Sequence, residues 1–208
     1  MPVLLSTAYC PPGSYMAAAA AATEIFIEAF ETYPKQTCRN HCSILGPNGM
    51  QVLSIPVIKP NGNHTLTKDI AISAHHPWQK THWRSIETAY NNSPFFLYYQ
   101  DLFLPFYTRK YKYLLDLNLD ILQAVLMILK AARPVILTDN YLKTPVNETD
   151  LRSVFGKKKQ TNPINLPAYT QVFETRFGFV PDLSILDILF NLGPETSFYL
   201  EAIHASQI

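Results

Sequence analysis

The chain has 208 residues, of which 48% are apolar, 16% charged and 12% aromatic, with a net charge of +1. The charged share is well below the roughly 25% of an average soluble domain, and nothing in the near-neutral balance points to nucleic acid or to a membrane surface. A chain of this length fits one domain with a sizeable core, so few charges and many aromatics leave an apolar surface or a homo-oligomer interface.

The opening "MPVLLSTAYC" is apolar but has no basic leader region and no small-residue cleavage site, so it reads as a strand, Val3 to Tyr9, and not as a signal peptide. "CPPG" turns the chain, and Ser14 can cap an alanine-rich helix through Ala22. That helix is too short to span a bilayer. "EIFIEAF" alternates apolar and acidic residues and predicts a second strand, Glu24 to Phe30. Strand, helix and strand with a short first loop predict a parallel βαβ unit.

"RNHCSILGPNGMQVLSIPV" predicts a hairpin turning at "GPNG", and Asp69 to Ser73 predicts one more strand. A helix follows, with Pro77 in its first turn and its end near Tyr90. Residues 95–116 are helical in composition but interrupted by Pro105, which predicts a bend or break. Leu117 to Ala132 predicts a long buried helix, and "VILTD" a short strand. Residues 144–167 are polar, with three prolines and three consecutive lysines, and predict a loop or lid. The remainder, 168–208, predicts two helices, the first capped by Asp182 or Ser184 and closed by Gly193, the second started by Pro194. The expectation is a single α/β domain over 1–208. Its sheet-rich part is 1–76 and its helical part 77–132. A mixed sheet joins both N-terminal strands, the hairpin and Asp69–Ser73, with helices packed on it and a largely helical C-terminal part.

The segment "HHPWQKTHWRSIETAY" concentrates candidate chemistry. At 3.6 residues per turn Trp78, His82, Ser85 and Ala89 share one face, and Trp83, Ile86 and Tyr90 another. Two readings of His82 stand. Either it bonds a backbone carbonyl inside the fold, or it sits at a cleft mouth as general base or acid, a role that suits its ordinary pKa. In the second reading Trp78 stacks on a ligand, and Lys80 or Arg84 holds an anion. His75 and His76 point apart in an extended chain, and "CRNHC" has no second pair at zinc spacing, so no metal is expected. Cys10, at the end of the first strand, is either a nucleophile with His82 as its base or a small apolar residue in a turn. Lys157 to Lys159 either clamp a phosphate or form a solvated surface. No Walker loop, no Gly-x-Gly-x-x-Gly and no Gly-x-Ser-x-Gly is present, so no cofactor is expected.

Three blocks in order, "YCPPGSYMAAAAAATEIFIEAFETYPKQTCRNHCSILGPNGMQVLSIPV", "WQKTHWRSIETAYNNSPFF" and "LSILDILFNLGPE", resemble the WbqC-like protein family over nearly the whole chain. That family is bacterial and is associated with gene clusters for surface polysaccharide such as O-antigen. The resemblance implies cytoplasmic work on an activated sugar or related small-molecule precursor. Its pattern marks Tyr9, Pro11, Tyr15, Lys35, Arg39, Asn40, Trp78, His82, Trp83, Tyr90, Pro94 and Phe96. It has leucine where this chain has Cys10, which argues against Cys10 as a shared nucleophile.

The expected site lies at the carboxyl end of the first strand, where loops of open α/β sheets gather. "YCPPGSY", "KQTCRN" and the start of the His82 helix would converge there. The first functional expectation is a transferase, with His82 catalytic, Arg39 and Lys35 binding phosphate or carboxylate, Asn40 placing an oxygen, Trp78 stacking, and Tyr9 and Tyr15 lining the site. The alternatives are a non-catalytic scaffold of such a pathway and an acyltransferase using Cys10. Neither nucleic acid nor membrane insertion is expected.

Overall fold

The computed structural model describes residues 1–155 and 166–205. Strand β1 (Val3–Ser6), helix α1 (Gly13–Ala21) and strand β2 (Ile25–Glu28) form the expected βαβ unit. β1 and β2 pair in parallel, Val3 opposite Ile25 and Ser6 opposite Glu28. Every residue of β1 is buried, as both-face burial of a parallel strand requires. α1 buries its first seven residues under the sheet. Gly13 lets Ile188 pack closely on its start, where a Cβ would stand 2.5 Å from Ile188 Cδ1 and that side-chain end would have to move.

The hairpin strands β3 (His41–Gly46) and β4 (Gly49–Ser54) come next, then β5 (Val57–Ile58) and β6 (Ala71–Ile72). Helices α2 (Trp78–Tyr90), α3 (Phe96–Thr108) and α4 (Leu114–Ile128) follow. Strands β7 (Val135–Leu137) and β8 (Thr149–Asp150) precede the C-terminal helices α5 (Glu174–Phe177), α6 (Ile185–Leu192) and α7 (Thr196–Ala205).

The α/β class, the βαβ unit and the helical C-terminal part are as the sequence predicts. The membership of the sheet is not. The main sheet has four strands in the order β7-β2-β1-β8, all parallel. The hairpin and the β5–β6 pair form separate two-stranded sheets. The two outer strands of the main sheet are only three and two residues long, and β8 lies inside the polar stretch expected as a loop. Lys157–Lys159, expected there as a clamp or a solvated run, fall outside the described residues.

Three local expectations change for physical reasons. Ser14 lies in the first turn of α1 and not at its cap. Its backbone N–H and its hydroxyl both donate to the Asp182 carboxylate, at 2.9 Å each, which ties the C-terminal part to α1. Pro105 does not break its helix. It sits in the last turn of α3, and burial of Phe103, Phe106 and Tyr107 on the same helix offsets the roughly 3 kcal/mol that an interior proline costs. α4 starts at Leu114 and ends at Ile128, two residues before Lys130 turns left-handed at φ 54°.

Ser184 is the cap of α6, accepting from the Leu186 N–H. Gly193 closes that helix at φ 55°. A Cβ there would stand 2.5 Å from the Phe95 ring, so only glycine fits. α6 is the centre of the core. Its Phe190 packs against Tyr90, Phe96 and Phe103 with ring centroids 5.2–5.7 Å apart, spacings that favour edge-on aromatic contact.

Candidate functional site at the carboxyl edge of the sheet

Beyond β1 and β2 the chain places a row of polar side chains. Arg39 is buried and grips Glu31 at two points, Nε to Oε1 at 2.8 Å and Nη2 to Oε2 at 2.7 Å. Bidentate pairing of this kind fixes both planes. Arg39 Nη2 also donates to Ser6 Oγ at 2.5 Å and Nη1 to Thr37 Oγ1 at 3.2 Å. The Tyr15 hydroxyl donates to the Ser6 carbonyl at 2.9 Å, so α1 is bonded to the same strand end.

A second ionic group stands beside the first. Glu28, the last residue of β2, is fully buried. Its Oε1 accepts from Phe30 N–H and Thr138 Oγ1, and its Oε2 from Leu142 N–H and Arg152 Nη1. Four donors leave no lone pair wanting, which is the condition for a stable buried carboxylate. Arg152 is in turn held by Asp150 at the end of β8, Nε to Oδ1 at 2.9 Å and Nη2 to Oδ2 at 2.7 Å. The Arg152 partnership holds the Asp150 carboxyl below its ordinary value.

A third group is neutral. The Tyr9 hydroxyl lies 3.0 Å from His82 Nδ1 and 3.0 Å from the Tyr107 hydroxyl, and the Cys10 thiol lies 3.7 Å from the latter. Burial pushes the His82 imidazole down to about 4, with a hydrogen bond to the Ser54 backbone partly opposing it. His82 is therefore neutral at pH 7. With its proton on Nε2 for Ser54, Nδ1 accepts from Tyr9, and Tyr9 accepts from Tyr107. Trp78 stands edge-on to Tyr9 and to His82, at 6.4 Å and 5.2 Å.

The segment after β1 links these groups. Ser6 belongs to the Arg39 cluster and Tyr9 to the His82 cluster. Between them Thr7 Oγ1 accepts from Asn118 Nδ2, which also donates to the Arg39 carbonyl. The Tyr9 N–H donates to the Cys38 carbonyl. Asn40 donates to the Ile55 carbonyl at the base of the hairpin.

Of the residues singled out from sequence, Tyr9, Tyr15, Arg39, Asn40, Trp78 and His82 thus sit around the end of β1. Lys35 does not join them; it is exposed, and burial together with the Lys35 charge lowers the pKa of Lys59. His82 and Trp78 are buried rather than at a cleft mouth. Cys10 is fully buried at φ 40°, its thiol against Tyr107, and its neighbour Cys42 is pushed up by burial. His75 and His76 are exposed, away from buried His82. Among the described residues no group of three or more His, Cys, Asp or Glu side chains could hold a metal ion.

The sequence reading missed Glu28, Glu31, Tyr107, Asn118 and Arg152. Glu28 carried a signal: it is an acid in a strand that must be buried on both faces. Arg152 carried none, because the polar stretch around it has no periodicity.

A short parallel sheet flanked by helices, with ionic side chains gathered at its carboxyl edge, defines an α/β protein. The WbqC-like protein family matches residues 7–162, and the chain belongs to that family. It is 24% identical over 222 residues to "Uncharacterized protein Rv1507c" of Mycobacterium tuberculosis (strain ATCC 25618 / H37Rv), an alignment covering 95% of this chain and 96% of that one. No solved structure matches. Among the described residues no helix is long and apolar enough to cross a membrane.

Proposed function

We propose that the chain is a transferase acting on an activated sugar or related precursor in bacterial surface-polysaccharide assembly, with the ligand seated at the carboxyl edge of the sheet. The observation that carries this is the pair of ionic clusters there, Arg39–Glu31 and Arg152–Glu28. Glu31 and Arg152 keep 12% and 10% of their side chains in contact with solvent. Carboxylates only accept hydrogen bonds and guanidinium groups only donate. Alternating the two gives a polyhydroxylated ligand a partner for both halves of each hydroxyl. Because each arginine is already charge-compensated, the edge suits neutral sugar hydroxyls better than a bare phosphate.

Within this reading Glu31 takes the proton from the attacking hydroxyl or amine, and the leaving group departs with the electron pair of the broken bond. Arg39 holds Glu31 in place. His82 is a positioning residue, since the group it touches is Tyr9. The test is a thermal-shift screen against nucleotide sugars, with Glu31→Gln as control. A ligand at a hundred times its Kd stabilises the fold by about 2.7 kcal/mol, and Glu31→Gln should lose that gain while still folding. No stabilisation by any nucleotide sugar would sink the proposal.

A second reading, a non-catalytic scaffold of the same pathway, is favoured by one feature. Helix α3 exposes Leu97, Tyr98 and Leu102 at 69%, 77% and 51%, and apolar side chains grouped in this way are common at protein interfaces. Light scattering that finds a monomer at all concentrations, unchanged by Leu97→Glu, would exclude self-association through that face.

A further inference from the structure

The opposite end of the sheet carries a cavity. Arg133 and Pro134 lead into the amino end of β7, and the Ile25 N–H at the amino end of β2 donates to the Pro134 carbonyl. A cavity of roughly 390 Å³ opens there between α1, the end of α4 and α7. That volume lies within the range of about 300–1,000 Å³ typical of small-molecule sites. Its floor is apolar, made by Ala17, Ala20, Leu129 and Leu200. Its rim is charged, with Lys130 and Arg133 set against Glu201, and His204 beside them.

The two cations are placed and not merely present. Arg133 is anchored by the Ala22 and Ala132 carbonyls through Nε and Nη1, which leaves Nη2 unengaged among the described residues. Lys130 stands at φ 54°, a left-handed conformation that favours glycine and that other residues adopt at a cost in strain. It makes no ion pair among the described residues. A lysine in a glycine position at the lip of a cavity is a local misfit that a role for its ammonium group would explain.

We propose that this cavity binds a small amphipathic carboxylate, its apolar chain on the alanine and leucine floor and its carboxylate on Lys130 and Arg133. Two cations against one carboxylate leave the rim at +1 before His204 is counted, which matches a monoanion better than a doubly charged phosphate. The site is at the far end of the sheet from the Arg39–Glu31 cluster, so it stands independently of the transferase reading.

The probe is octanoate, with octanol and inorganic phosphate as partners in the comparison, measured by calorimetry and by amide NMR shifts. Octanoate should perturb amides of α1 and α7 around Ala20, Ser197 and Leu200, and octanol and phosphate should each bind at least ten-fold more weakly. Lys130→Gly should melt no lower than the parent, because glycine suits that φ, yet lose at least ten-fold in octanoate affinity. Ala20→Leu, which fills the floor and leaves the charges untouched, should lose binding as well. Octanoate binding that is absent, that maps elsewhere, or that survives both substitutions would overturn the proposal, as would phosphate or octanol binding as tightly as octanoate.

Discussion

Two networks share the end of β1 and work by opposite means. The Arg39–Glu31 and Arg152–Glu28 clusters hold full charges out of water by pairing them. The Tyr107–Tyr9–His82 chain is as deeply buried but carries no charge, because burial keeps the imidazole neutral. Only Thr7 and Ala8 separate Ser6 from Tyr9, yet one side faces an edge that solvent reaches and the other the aromatic core. The difference shows which group can meet a ligand. A compensated ion pair at an edge can exchange a partner for a ligand hydroxyl, whereas a neutral chain in the core can only orient its neighbours.

The largest expected break in that contrast is Glu28→Ala. It strands two backbone N–H groups and the Thr138 hydroxyl in the interior and takes from Arg152 its Nη1 partner, leaving that guanidinium to Asp150 alone. Removal of one member of a buried pair costs about 3–5 kcal/mol, which a urea titration would read as a large fall in midpoint. Stability unchanged within 1 kcal/mol, roughly the scale of an ordinary surface change, would show that Glu28 is not the tie between β2, β7 and β8.

Acid should break the neutral network next. The folded imidazole of His82 titrates at about 4 and the unfolded one near 6.5. Below pH 6.5 the unfolded chain therefore takes up a proton that the folded chain refuses. Stability falls as pH drops from about 6.5 to about 4 and levels off below, a loss of up to ~3 kcal/mol. Midpoints measured across that window should flatten in His82→Gln. An equally steep acid limb in the variant would place the effect elsewhere.

Tyr107→Phe sharpens the comparison more gently. It removes one hydroxyl from the Tyr9 chain and should cost about 1 kcal/mol without moving the acid limb, because Tyr9 still donates to His82. A lost acid limb would mean that the tautomer depends on the whole chain. The smallest effect belongs to Lys35→Ala, an exposed position where the melting temperature should not change. Loss of ligand binding in that variant would return Lys35 to the site.

The sequence by itself determined the local elements, and it did so where a pattern repeats within one turn or one strand. The apolar run of β1, the alanines of α1, the Pro77–Tyr90 helix and a cap at Asp182 or Ser184 are all legible because each rests on neighbours in the chain, and the structure chooses Ser184. The convergence of Tyr9, Arg39 and His82 near the end of β1 was legible through the family resemblance together with the βαβ reading. Only the tertiary structure decided which strands share a sheet. The hairpin has the stronger strand pattern, yet β7 and β8, with three and two residues, complete the main sheet. The N-terminal strands supply open edges there that any extended segment with free backbone groups can fill. Periodicity records that a side chain is buried but not what it meets. His82 reads equally as a catalytic base or a core histidine until Tyr9 and Ser54 are brought to its two nitrogens. The sequence shows Glu28 as an acid in a buried strand, but not that Thr138, Leu142 and Arg152 come from distant segments to meet it.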